Sequence, residues 1–184
     1  MAELKKEQVD ALLRPIKPHR VLVANGQSHV PAYDVAAHLT RIFGFGGWDK
    51  EILSLMMVAE EETTTKGTAE RPGRPAWTVT YACTLRLTVK DPSGAVLAVW
   101  DDGACGSSTQ PVRGEAHDMA LKSAISYALK RCAAFGLGDQ FGLSLYNKGS
   151  MAALIGKTLV NGGDGGDLES HIQVPESMGL DENE

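Results

Sequence analysis

No apolar run in this 184-residue chain approaches the ~20 residues that a helical membrane span requires. The opening segment MAELKKEQVDALL lacks the apolar stretch and small-residue cleavage site of a secretory leader. Cysteine is scarce: Cys83, Cys105 and Cys132 are odd in number and far apart, which is no disulfide framework, and a reducing cytoplasm is expected. His19, His29, His38, His117 and His171 share no ligand spacing with one another or with the cysteines, so no metal and no cofactor is expected. Gly44-Phe45-Gly46-Gly47 follows a helical pattern and precedes a strand, the wrong order for a dinucleotide loop, and no G-K-[ST] is present, which argues against nucleotide hydrolysis. Asp101-Asp102 and Glu60-Glu61-Glu62 have no partner set for acid–base work and read as solvated charges. Nothing resembles an activated serine or cysteine nucleophile, so the expectation is not an enzyme.

What is present is unevenly placed. The net charge is −5, yet from Met151 onward one lysine, Lys157, faces seven acids, so the tail carries −6 and residues 1–150 carry +1. A near-neutral body with an acidic tail leaves a nucleic-acid partner open. The run Gly162-Gly163-Asp164-Gly165-Gly166-Asp167 reads as a solvated linker. Residues 1–159 are therefore expected to form one domain and 160–184 a disordered acidic tail.

The body has legible periodicities. Glu3 to Leu13 suits a helix ended by Arg14-Pro15, and Ile16 to Val30 suits a loop or short strand pair. Tyr33 to Phe43 has helical spacing and stops at Gly44. Over residues 77–90, Trp77, Val79, Tyr81, Cys83, Leu85, Leu87 and Val89 alternate with polar or small residues, which predicts a strand buried on one face. Asp91-Pro92-Ser93-Gly94 is turn chemistry, Ala95 to Ala104 suits its partner, and Lys50 to Val58 suits a third strand before a Glu60–Pro75 loop. Glu115 to Phe135 is the longest helical signal, with an expected apolar stripe of Leu121, Ile125, Ala128 and Cys132. That stripe places Lys130 opposite the core, with Lys122 and Arg131 on its flanks. The fold class expected is α+β: an antiparallel three-stranded meander on a long helix, with N-terminal helices.

Two motifs sharpen this. Phe43-Gly44-Phe45-Gly46-Gly47-Trp48 lies between the first core helix and the first strand, and Ala128-Leu129-Lys130-Arg131-Cys132-Ala133-Ala134-Phe135-Gly136 ends the long helix ahead of Tyr146-Asn147-Lys148. A helix running into F-G-x-x-G-W, a meander, and a helix ending in L-K-R and F-G resembles the Rad fifty-two family of recombination mediators and annealing proteins, in its phage and bacterial branch. The likeness covers about residues 12–148.

That resemblance implies a β-β-β-α core whose subunits form a ring with single-stranded nucleic acid in a basic outer groove. It implies that Lys130 and Arg131 contact the strand's backbone, and that Arg113 lies where further basic residues occur. Lys122 and Arg20 complete the candidate DNA-binding set. Trp48 and Phe43 match structural positions, and the cell implied is a bacterium or phage-infected host. Two departures stand out: the eukaryotic members' third basic residue is replaced by Ala133-Ala134, and Asp34 aligns with an arginine of theirs.

The physics suits such a role. Annealing any sequence calls for a grip on phosphates that leaves base edges free. A weak site per subunit gains by repetition around a ring. Lys66, Arg71 and Arg74 of the polar loop offer a second contact, although a mobile hairpin is the plainer reading. Without the family likeness, Lys130 and Arg131 would read as a solvated helix face, and packing is the plainer role for Trp48, Trp77, Phe43 and Phe45, with Phe45 the best-exposed aromatic candidate. The acidic tail suits either competition for the groove or recruitment of replication or repair partners, which makes an oligomeric adaptor the alternative function. A small-ligand or metal enzyme would need convergent polar groups that the chain does not display.

Overall fold

The period-2 run becomes the middle strand of a three-stranded antiparallel sheet whose strands lie side by side in chain order. The computed structural model describes residues 3–24, 27–68 and 72–147. Element order is α1 (Lys6–Leu12), a 3-10 turn (Pro18–Arg20), β1 (Leu22–Ala24), β2 (Gln27–His29), α2 (Ala32–Phe43), β3 (Trp48–Thr64), β4 (Pro75–Lys90), β5 (Val96–Gln110) and α3 (Arg113–Leu137), followed by 3-10 turns at Asp139–Phe141 and Leu143–Asn147. The class is the expected α+β, with the meander packed on α3.

Val79, Cys83, Leu85, Leu87 and Val89 of β4 point toward α3 and are essentially inaccessible. Each such side chain contributes about 1.5–3 kcal/mol relative to exposure. The opposite face of the sheet is polar: Thr78 bonds Thr109 at 2.9 Å, Thr80 bonds Ser107 at 2.7 Å, and Arg86 forks Asp101. Helix α2 adds Val35, Leu39 and Phe43 to the same core as Leu137 and Phe141. It ends where Gly44 takes a φ of 87°, and Trp48 is anchored by its indole N–H donating to Thr40 Oγ1 at 2.9 Å.

The α3 seam differs from the expected stripe. Ala116, Ala120, Ala124, Ala128 and Cys132 face the sheet, while Leu121 and Ile125 are only partly buried. The reason is close approach: a Cβ added to Gly106 of β5 would stand 2.3 Å from the Ala124 nitrogen. Only alanines on the helix and glycine on the strand fit at that separation. Toward its C-terminal end α3 is enclosed on more sides, and Leu129, Ala133, Ala134 and Leu137 are buried as well.

Several boundaries also move. β3 runs through Thr64, so Glu60–Thr64, expected as loop, are strand paired with Pro75–Val79. β5 continues to Gln110, well past Ala104, because pairing with β4 carries Gly106 and the small polar residues into the sheet although no apolar alternation marks them as strand. α1 is shorter than expected, starting after Lys5, whose backbone N–H donates to Gln8 Oε1 at 2.9 Å. The strand pair anticipated between Ile16 and Val30 is the β1–β2 hairpin. The expected tail, and the domain boundary at residue 159, lie outside the described residues.

Candidate nucleic-acid interface

Lys130 and Arg131 sit near the C-terminal end of α3, where enclosure by neighbouring elements changes their character. Lys130 is half-buried, and its ammonium lies 4.4 Å from the centre of the Tyr127 ring. Burial pulls its pKa below the ordinary lysine value. Among the described residues it has no acidic partner. Arg131 reaches across β5, where its Nε–H donates to Asp102 Oδ1 at 3.1 Å, and its guanidinium lies 5.0 Å over the Phe135 ring. Its side chain remains 38% exposed. Phe135 in turn packs on Tyr146, with ring centroids 5.0 Å apart. The result is two adjacent cations held against half-exposed aromatic rings, a chemistry suited to phosphates alongside unpaired bases.

The other candidates on α3 do not converge on that pair. Lys122 is nine residues before Arg131, about two and a half turns, so it points to the opposite side of the helix from Arg131, and it stands roughly 12 Å along the axis from Lys130. It is exposed and pairs with Asp118 one turn back at 2.6 Å. Arg113 lies about 27 Å from Arg131 along the axis. It forks Glu60, through Nε to Oε1 and through Nη2 to Oε2 at 3.2 Å, and stacks 5.0 Å over Trp77. The Arg113 bond holds the Glu60 carboxyl below its usual value, and His117 stands 3.4 Å from the same carboxylate while accepting or donating to Tyr81 at 3.1 Å. This cluster ties the start of α3 to the far end of the sheet.

Arg20 requires a correction. Its residue is only 8% exposed. Nε–H and Nη2–H donate to the Asp34 carboxylate, at 3.0 and 2.6 Å, and Nη1–H donates to the Gln140 carbonyl at 2.9 Å. Gln140 also donates to the carbonyls of Arg14 and Pro15, at 2.6 and 2.9 Å. Arg20 thus clamps the N-terminal segment to the turn after α3, and its donors are spent inside the protein. Asp34 serves as the partner of that buried charge. An open cleft of about 200 Å³ lies beside them, lined by His19, Tyr33 and Arg41 among others. His38, 3.0 Å from Gln140 Oε1, is held below the ordinary histidine pKa by burial first and by the Arg20 charge second.

Three residues, Asp102, Tyr127 and Phe135, were not legible as site elements in the sequence. Asp102, read as a solvated charge, is the partner of Arg131; a strand register was needed to see it. Tyr127 and Phe135 emerge as supports of the two cations only once the helix is seated. Phe45, the aromatic expected from the sequence to be best exposed, is 99% exposed on a turn whose flanking Gly44 and Gly46 both have positive φ, and a Cβ on Gly47 would collide with the Phe43 carbonyl. Strand β3 also leaves Ile52, Leu53, Met56, Met57 and Val58 exposed on the edge of the sheet. In the loop, Lys66 is exposed, Arg74 closes a backbone pair with Thr65 at 2.8 Å, and Arg71 lies outside the described residues.

Among the described residues no group of three or more His, Cys, Asp or Glu could hold a metal ion, and no helix is long and apolar enough to cross a membrane. Cys132 is buried, donates to the Leu85 carbonyl at 3.2 Å, and has its pKa pushed up to about 11 by burial, so it remains a packed thiol.

Comparison with known proteins adds a separate line of observation. The family described as "Rad52/22 family double-strand break repair protein" matches residues 5–155. "DNA repair protein RAD59" of Kluyveromyces lactis is 29% identical over 103 residues, covering 56% of this chain. The match spans 45% of that yeast protein's length.

Proposed function

Since the chain belongs to the Rad52/22 family of double-strand break repair proteins, we propose that it binds single-stranded DNA and anneals complementary strands in homologous recombination and repair, as an oligomeric ring and without ATP. One observation carries this reading. Lys130 and Arg131, side by side on a rigid helix and backed by Tyr127 and Phe135, present cationic groups not fully neutralised by the protein's own acids. Such a grip is directed at phosphates and is indifferent to base identity. Arg113 and Lys122 contribute only by releasing Glu60 and Asp118 to reach DNA, and Arg20 drops out of the contact set.

The oligomer is supported by the edge of the sheet. β3 is 17 residues long and carries exposed apolar side chains, a surface that isolated proteins avoid and that strand-to-strand or face packing between copies would cover. Repetition then converts two cations per subunit into a continuous track. The fungal relative points to the eukaryotic branch of the family rather than the expected phage or bacterial one. The cellular compartment follows the branch: nuclear for a eukaryotic chain, cytoplasmic for the expectation from sequence. The adaptor alternative rests on the acidic tail, outside the described residues.

The test is fluorescence anisotropy of a labelled single strand against wild type and Lys130→Ala/Arg131→Ala across a salt series, with assembly followed by light scattering. Wild type should bind, with affinity falling as salt rises. The equally assembled double variant should bind at least tenfold more weakly. A correctly assembled wild type that ignores single strands at low salt would end the annealing reading and leave the adaptor.

A further inference from the structure

Resting on the strand-binding site above, the geometry points to Asp102 as a positioning residue: its carboxylate holds the Arg131 guanidinium so that both terminal nitrogens face outward as a phosphate fork. Asp102 Oδ1 is itself fixed, accepting the Gly103 N–H at 2.7 Å as well as the Arg131 Nε–H at 3.1 Å. The guanidinium plane is supported from below by Phe135, and Phe135 by Tyr146. Nε is thereby occupied, while Nη1 and Nη2 of Arg131 make no hydrogen bond among the described residues.

The contrast with the other arginines is specific. Arg113 closes its Nε and Nη2 on Glu60, Arg86 closes the same pair on Asp101, and Arg20 is enclosed by Asp34 and Gln140. A carboxylate gripping both nitrogens neutralises the fork; one gripping Nε alone orients it and leaves the bidentate edge for phosphate. Asp101, the sequence neighbour, cannot compete, because it sits on the opposite face of β5 in its own fork with Arg86. Sequence position puts an acid beside a DNA-binding arginine, which charge alone would count as harmful. The structure makes that acid a support.

The opposing effects separate by substitution. Asp102→Ala removes both the negative charge and the hydrogen-bond acceptor, whereas Asp102→Asn removes the charge and keeps an acceptor oxygen. Anisotropy of a labelled oligo-thymidylate with the full chain compares these with Arg131→Ala and with Asp102→Ala/Arg131→Ala. Asp102→Ala should weaken binding roughly 2- to 10-fold, the effect of re-immobilising one rotamer-rich side chain. Its plot of log affinity against log salt should lose about 0.7 in slope, one phosphate contact on a single strand, as Arg131→Ala does. Asp102→Asn should bind at least as tightly as wild type, and the double variant no more weakly than Arg131→Ala alone. Circular dichroism checks the fold; if Asp102→Ala unfolds, Phe135→Leu, at an exposed ring, carries the same expectation of weaker binding and lower slope.

Tighter binding by Asp102→Ala, or additive losses in the double variant, overturns the positioning role while leaving the site intact. A wild-type salt profile in Arg131→Ala overturns it differently, by removing Arg131 from the site.

Discussion

Replacing Gly106 by alanine tests the seam on which the placement of Lys130 and Arg131 depends. The added Cβ would stand 2.3 Å from the Ala124 nitrogen and 2.7 Å from the Ala120 carbonyl oxygen. Ordinary contacts lie at about 3.5–4.0 Å, so α3 must retreat by roughly 1 Å or more, since backbone has no alternative rotamer. Retreat would loosen Ala116, Ala120, Ala124 and Ala128, all fully buried. Overpacking of this kind costs about 1–3 kcal/mol, and backbone opposition places Gly106→Ala at the upper end. For a chain of this size the drop in Tm should be roughly 6–12 °C at ~3 kcal/mol. Gly114→Ala supplies the contrast: nothing lies within 4 Å of its Cβ, and it sits in the first turn of α3. It should be neutral or stabilising by up to ~1 kcal/mol. Thermal unfolding by calorimetry or circular dichroism reads both. A neutral Gly106→Ala would mean that α3 does not meet β5 at this register, and the Arg131–Asp102 pairing would fall with it.

Three further outcomes are expected. Lys130 is held below the ordinary lysine pKa by burial; since only its charged form attracts phosphate, strand affinity should fall as pH rises through that lowered value, and Lys130→Arg should move the loss to higher pH. Identical alkaline profiles for the two proteins would remove Lys130 from the site. Arg20→Ala should lower stability by about 2–4 kcal/mol in urea unfolding, somewhat under the cost of breaking a fully buried pair because the Asp34 side chain is 22% exposed. Strand affinity of the folded fraction should be unchanged, and a stable but binding-deficient variant would return Arg20 to the contact set. Phe45→Ala should leave Tm unaltered within about 0.5 kcal/mol of stability, because the ring touches nothing inside the chain. A marked loss in Tm with assembly preserved would contradict the exposed turn.

Much of this architecture could be read from residue order. Seven apolar residues at period 2 in 77–90 dictate a strand with one buried face, and Asp91-Pro92-Ser93-Gly94 dictates the turn that returns β5. Helical spacing ending in glycine locates α2, and the two motifs around the meander, taken together, carry the resemblance to the family. Local chemistry suffices for these because the determining contacts are between near neighbours.

Other facts depend on pairs far apart in the chain. No apolar alternation marks Gly106 to Gln110 as strand, and only the β4 register recruits them. The apolar stripe of α3 looks larger than it is because the sheet selects alanines that permit close approach over the bulkier Leu121 and Ile125. Arg20 and Asp34 are fourteen residues apart and look like two surface charges; Gln140, brought in from 120 residues away, makes them a buried clamp. Sequence by itself determined the order of elements, the family motifs and which cations were available. Tertiary structure decided which cations remain free, because ion pairing is settled by separations of a few ångströms that strand register and helix seating set, and no local pattern encodes them.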